Sequence, residues 1–335
     1  MRAATRADVF STGQIGLAVA SWPVAFLVSV VVLLGSVVYL CAVVADVIAP
    51  PARAAANPVA AGAPLPQVAV SEDDIRESQP ALGMADTPAL DAAIRDALAR
   101  HEESAGVAVF RMDDGRRAGH NADRVFYAAS TFKLAVLYEV ERRVSAGELA
   151  YEDRIVLTDG AVAEDLGTLE LVPVAADGTV SIGGALEAMV TLSDNATAVA
   201  LMRLVSPAAI DDTLRELGLA TMSVNTTDLP ATANDLALLM RAILQGTGVA
   251  PAQREHMHDL LTRQSVRDGI PSAAGRGAGV RVGNKTGTWP GITNDVAFVE
   301  TGQGAYVIAV MAEGDWNWDL IRDVSAAVDS VMAGR

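Results

Sequence analysis

With a single cysteine, Cys41, in 335 residues, the chain can build no intrachain disulfide framework and no zinc or iron–sulfur centre from several thiolates. Four histidines leave little material for a multi-histidine metal centre, so neither a metal nor another cofactor is expected. Basic residues are scarce beside acidic ones, 25 Lys and Arg against 41 Asp and Glu. The net charge of −16 argues against nucleic acid or anionic lipid headgroups as the main partner of the soluble part. No internal repeat is found. Hydrophobic residues are abundant at 51%, too many for a disordered chain. A membrane span and a large core would raise that figure equally, so its location matters.

Part of it lies at the N-terminus. Residues 9–45 carry no charge, and the densest stretch runs from Val24 to Ala45. A spanning helix needs roughly 20 apolar residues, whereas a cleavable signal has an apolar region of about 7–15. Residues 24–46 therefore read as a transmembrane anchor, after a short cytoplasmic segment and the start of the apolar run at 1–23. Cleavage at the A-x-A pattern Ala52-Arg53-Ala54 is the alternative. Arg2 and Arg6 precede the span, which points the N-terminus to the cytoplasm and the rest of the chain outward. Residues 50–85, with Pro50-Pro51, Pro58, Pro64 and Pro66, read as an Ala/Pro-rich tether.

Residues 86–335 form the expected exported domain, and −14 of the net charge belongs to them, because residues 1–49 balance and the tether carries −2. Thr87-Pro88 opens a predicted helix to about Glu102, with Thr87 as cap. Gly106 to Met112 reads as a strand. Helical periodicity dominates from Ser130 to about Leu244. Strand character returns at Gly279–Val282, Asp295–Val299 and Ala305–Met311, before a closing helix from about Trp316 to Met332. The pattern predicts an α/β fold in which one sheet is assembled from both ends of the domain and a helical subdomain is inserted between them.

Three short motifs carry chemistry. Ser130 and Lys133, in Ser130-Thr131-Phe132-Lys133, stand three apart at the start of a predicted helix and share a face. A serine hydroxyl attacks only when a base takes its proton, and a lysine serves if burial or other cations lower its pKa. Ser193-Asp194-Asn195 follows the apolar run Leu186 to Leu192, and Lys285-Thr286-Gly287-Thr288 falls in the first late strand. Each alone is commonplace: a capping serine, a polar stop, a solvated edge. Together and in this order they are the S-x-x-K, S-D-N and K-T-G set of class A β-lactamases and penicillin-binding proteins.

The domain resembles the class A β-lactamase family, over nearly all of 86–335. Phe126 to Lys133 is similar to that family's nucleophile segment, and Gly291 to Ala297 to its turn and strand after K-T-G. The resemblance implies a β-lactamase/transpeptidase-like fold. It implies Ser130 as acylated nucleophile, Lys133 as base, Ser193 as proton relay to the leaving nitrogen and Asn195 as ligand of the substrate amide. Lys285, Thr286 and Thr288, around Gly287, would hold the substrate carboxylate, with the N–H groups of Ser130 and Thr288 as oxyanion hole.

One departure stands out. The family's Glu-x-x-Leu-Asn motif, which supplies the water-activating glutamate, is missing from Leu217 to Asp235, where the loop looks about a dozen residues short. Asp228 is the one carboxylate between Leu217 and Ala233. It is either a substitute base or a turn residue ahead of Leu229-Pro230. Glu164, Asp165 and Glu170 read as solvated loop acids that could border the cleft. His256 and His258, two apart on a helix, do not face together and read as surface residues rather than metal ligands. Gly275-Arg276-Gly277-Ala278-Gly279 reads as a flexible link. The resemblance implies a membrane-anchored serine hydrolase taking β-lactam or peptidoglycan-like acyl substrates. The alternatives are a D,D-peptidase-like cell-wall enzyme inhibited by β-lactams, or a non-hydrolysing β-lactam-binding or sensor domain.

Overall fold

The computed structural model describes residues 87–274 and 279–334. The expected cytoplasmic segment, anchor and tether, Cys41, and most of the 275–279 link lie outside the described residues. Among the described residues no helix is long and apolar enough to cross a membrane.

Helix α1 (Pro88–Leu98) leads into strands β1 (Ala105–Arg111), β2 (Arg117–His120) and β3 (Val125–Tyr127). A largely helical stretch follows: α2 (Lys133–Ser145), β4 (Arg154–Val156), α3 (Asp159–Val162), β5 (Thr179–Ser181), α4 (Ile182–Glu187), α5 (Asn195–Val205), α6 (Pro207–Glu216), β6 (Pro230–Thr232), α7 (Ala233–Gln245), α8 (Pro251–Thr262) and α9 (Ile270–Ala273). The chain returns as β7 (Arg281–Trp289), β8 (Ile292–Thr301) and β9 (Gly304–Glu313), and closes with α10 (Trp318–Met332).

The main sheet has five antiparallel strands in the order β2-β1-β9-β8-β7. Its centre joins the two ends of the domain, β1 against β9 from Ala105 opposite Ala312 to Arg111 opposite Tyr306. This is the predicted architecture. The inner strands carry long apolar runs, residues 107–110 of β1, 296–299 of β8 and 307–312 of β9, because both faces are covered. Val307, Ala309 and Met311 of β9 point into a core shared with the helical region, while Tyr306, Ile308 and Val310 alternate into a second core. That second core is closed by α1 and α10, which bury Leu90 and Ile94, and Leu320, Ile321, Val324 and Val328, at helical spacing.

Several local expectations change. Helix α1 ends at Leu98. Pro88 takes its first turn as expected, but Thr87 caps nothing with its side chain; its carbonyl accepts from Leu90 and Asp91 instead. The first late strand runs on to Trp289, because Pro290-Gly291 makes a two-residue hairpin turn, with Gly291 at φ 77°, that keeps β7 in register with β8 over its whole length. Helix α7 starts on a capping box, in which Thr232 Oγ1 accepts from the Asp235 N–H and Asp235 answers to the Thr232 N–H.

Candidate active site

Three segments converge where the helical region meets the free edge of the sheet. The first is not the helix N-terminus that the spacing predicts. Ser130 sits in a 3-10 turn, Ala129–Phe132, that feeds into α2, and helix geometry begins only at Lys133. Ala129 immediately before it has φ 47°, an unusual backbone for an alanine. The neighbours hold that turn: Thr131 Oγ1 donates to the Ala128 carbonyl at 2.6 Å, and Asn294 Nδ2 of β8 donates to the carbonyls of Tyr127 and Ala128 at 2.9 and 3.1 Å. Strained backbone beside a reactive group persists only where the surroundings over-determine it.

The second segment is a corner. A π-helical turn, Ala188–Leu192, ends at Ser193 in the left-handed conformation, φ 59° and ψ 33°. Asp194 then caps α5, its Oδ1 accepting from the N–H and hydroxyl of Thr197, both at 2.7 Å, which sets Asn195 at the first helical position. The other oxygen of Asp194 accepts from Thr168 Oγ1 at 2.6 Å. The third segment is β7. It is an edge strand, and it approaches the Ser130 turn so closely that a Cβ on Gly287 would lie 2.8 Å from the Ala128 carbonyl oxygen, 2.9 Å from the Thr131 nitrogen and 3.1 Å from the Ser130 nitrogen. Only glycine fits there.

Lys133 joins the first two segments. Fully buried, its Nζ lies 3.2 Å from Ser130 Oγ, 3.2 Å from Ser193 Oγ, 2.7 Å from Asn195 Oδ1 and 2.6 Å from the Ser193 carbonyl oxygen. Lys285, equally buried, reaches Ser193 Oγ at 2.9 Å and the Thr286 carbonyl at 2.8 Å. The Ser193 hydroxyl thus stands between two amines. Burial pushes the Lys133 ammonium well below its ordinary range, the charge of Lys285 pushes the same way, and Asp194 opposes them. Burial likewise lowers Lys285 to about 7, against the pull of Asp295. Asp295, buried beside them, is raised to about 6 by the same loss of solvent, although Asn284 and the Ile270 N–H donate to it.

The family model described as the beta-lactamase enzyme family matches residues 89–331. The chain belongs to this family. Among solved structures it resembles PBP-A at 26% identity over 75% of this chain and 98% of that one, with a TM-score of 0.69, and a mutant of PBP-A solved as an acyl-enzyme complex with penicillin G matches equally. A β-lactamase from Sphaerobacter thermophilus is 28% identical over 74% of this chain and 97% of its own, at a TM-score of 0.64. An ancestral class A β-lactamase is 25% identical over 72% and 99%, at 0.65. Comparison with curated proteins gives no match.

Within this β-lactamase fold, Ser130, Lys133, Ser193, Asn195 and Lys285 come together. Thr286 is buried beside them, its Oγ1 accepting from Gln264 Nε2 at 2.9 Å, and Thr288 is exposed at the rim. Asp228 is exposed in the turn ahead of β6. Glu164 is half-buried, with burial raising its carboxyl pKa. The histidine expectation needs correcting. His258 is buried, its Nε2 against the Ile243 carbonyl and its Nδ1 against Arg281, because α8 packs on β7 and carries that side chain inward. His256, partly exposed, meets the buried Glu141, which also accepts from Tyr151 Oη at 2.6 Å. Among the described residues no group of three or more His, Cys, Asp or Glu could hold a metal ion. Motif reading missed Asn294, Asp295 and Thr168. The first two sit in the Gly291–Ala297 segment that carries part of the family resemblance, so a signal for them existed; Thr168 had none.

Proposed function

We propose that the chain is an exported, membrane-tethered serine hydrolase that opens β-lactam amides through an ester on Ser130. The observation that carries this reading is the set of contacts around Lys133 Nζ. A neutral amine has two N–H donors and one lone pair. The two shortest contacts are to carbonyl-type oxygens, those of Ser193 and Asn195, which can only accept and so use both donors. The lone pair is left for a serine hydroxyl, and the lowered pKa favours the neutral form that can accept a proton. Lys133 takes the Ser130 proton as Oγ attacks the lactam carbonyl. When the C–N bond breaks, the nitrogen receives the Ser193 proton, which the protonated Lys133 replaces. Lys285 and the threonines of β7 hold the substrate carboxylate, and water later cleaves the ester to regenerate Ser130.

The absence of the Glu-x-x-Leu-Asn motif, the exposure of Asp228 and the likeness to PBP-A favour a second reading, a D,D-peptidase-like enzyme that β-lactams acylate and inhibit. A fluorescent penicillin separates the two. Label that fades within seconds means fast hydrolysis; label that persists means the peptidase or a sensor. No label on the native chain, or equal label on Ser130→Ala, removes the acyl-serine mechanism. The anchor expected at 24–46 places this domain on the extracytoplasmic side, which protease treatment of intact cells would test.

A further inference from the structure

The acyl-transfer chemistry leaves one shielded carboxylate beside the catalytic corner unused. Glu164 lies between α3 and the short turn at Leu169–Leu171, in a segment fastened to that corner. Asp165 Oδ1 accepts from the N–H groups of Gly167, Thr168 and Leu169, and the Thr168 hydroxyl donates to Asp194. One oxygen of Glu164, Oε1, is shut off from water and has no hydrogen-bond partner. The field of its carboxylate reaches the phenol of Tyr127, three residues before the nucleophile, and that ring leans against Trp289 at the end of β7, 5.7 Å between centroids. The nearby guanidinium of Arg203 is committed to Thr158 Oγ1 at 2.6 Å.

A buried carboxylate oxygen without a donor is an unfavourable arrangement that a bound donor relieves, most strongly a charged one. The reactive centre already offers a buried amine, Lys285, for negative charge. We propose that Glu164 receives a primary ammonium on the acyl side of the substrate, so that the preferred acyl donor is zwitterionic, its carboxylate held from β7 and its ammonium at Glu164. An ammonium carries three N–H donors and would fill the vacancy on Oε1, with its carbon stem against the Tyr127 ring. The domain's net charge of −14 draws cationic groups inward over longer range. This assignment rests on the acyl-serine reading and adds a recognition element to it.

Three penicillins that differ by one substituent on the same carbon test it: benzylpenicillin and its α-amino and α-carboxy forms. Rate constants for acylation of the full chain are measured near neutral pH for the native protein, Glu164→Gln and Glu164→Asp. The amino form is expected to acylate the native protein about tenfold faster than the carboxy form, a factor of one charge-assisted hydrogen bond. Glu164→Gln should bring that ratio to within about twofold, and Glu164→Asp should keep part of it. An equal ratio in native protein and Glu164→Gln overturns the proposal. If none of the three acylates the native chain, the acyl-serine reading falls. Thermal shifts of Ser130→Ala with the same compounds then decide Glu164 separately, stabilisation by the amino form over the carboxy form upholding it and no difference refuting it.

Discussion

Replacing Gly287 with alanine adds a single methyl group where β7 passes the Ser130 turn, and its effect can be worked out from the contacts. The new Cβ would meet three backbone atoms, the Ala128 oxygen at 2.8 Å and the nitrogens of Thr131 and Ser130 at 2.9 and 3.1 Å. None belongs to a side chain that could rotate away. Ordinary contact begins at 3.4 Å, so strand and turn must part by several tenths of an ångström. Overpacking of this kind costs about 1–3 kcal/mol. For a domain of this size that lowers Tm by roughly 2–4 °C per kcal/mol. Acylation should suffer more than stability, because the displaced atoms include the Ser130 N–H and the strand that carries Lys285 and Thr288. Misplacing reacting groups by about 1 Å costs on the order of a hundredfold, so a shift of half that predicts a loss of roughly tenfold in the acylation rate. The assay is the rate of labelling by a fluorescent penicillin, with Tm measured on the same sample. A variant with the native Tm and the native labelling rate would refute the close-approach argument; a lower Tm with native labelling would confine the role of Gly287 to packing.

Two further perturbations follow from the same structure. On the proposed mechanism Lys133 must be neutral to accept a proton, so acylation should rise with pH through its lowered pKa, whereas Lys285 must be charged to hold a carboxylate and loses that charge above about 7. The acylation rate constant for penicillin should therefore fall above neutrality, while a penicillin methyl ester, which lacks the carboxylate, should lack the falling limb; identical profiles would show that Lys285 does not bind through its charge. Because Lys285 titrates at about 7 when folded and at 10.5 ordinarily, the unfolded chain binds the extra proton between those values, and its contribution to stability grows as pH rises through that window. Away from the site, Glu141→Ala would strand His256 and Tyr151 around a buried vacancy and should cost about 2–4 kcal/mol, read as a Tm drop of several degrees, with Ser130 labelling intact in the folded fraction. A Tm within about 1 °C of native would show the cluster to be energetically idle.

Much of this molecule is legible in its sequence, for identifiable reasons. The continuous apolar runs of β1, β8 and β9 mark strands covered on both faces, and the spacing of α1 and α10 is a period-3.6 signal of helices with one buried face, so the sheet built from both ends of the domain can be read from the sequence. The motifs can be read because reactive side chains come from short contiguous stretches. What stays hidden depends on contacts between distant segments. The left-handed Ser193 and the positive φ of Ala129 are imposed by neighbours, not by residue type; glycine, asparagine or aspartate is what such a backbone would lead one to expect. His258 turns inward because α8 packs on β7, which the i, i+2 pattern of the histidines cannot reveal. Glu164 resembles any loop acid until its segment is seen fastened to Asp194 through Thr168.

The pairing of β1 with β9 bears on how the molecule comes into being. The Ser130 turn precedes the S-D-N corner by about sixty residues and the K-T-G strand by about a hundred and fifty, and within the sheet β7 pairs with β8, which is joined to the first strand of the domain by way of β9. Such long-range closure is slow to form and comes late in folding. A chain truncated before β9 keeps Ser130, Lys133, Ser193 and Lys285, yet lacks the strand that joins β7 and β8 to β1. Folding competence and catalytic competence then arrive in one step, and a penicillin label on Ser130 would count completed domains rather than chains synthesised.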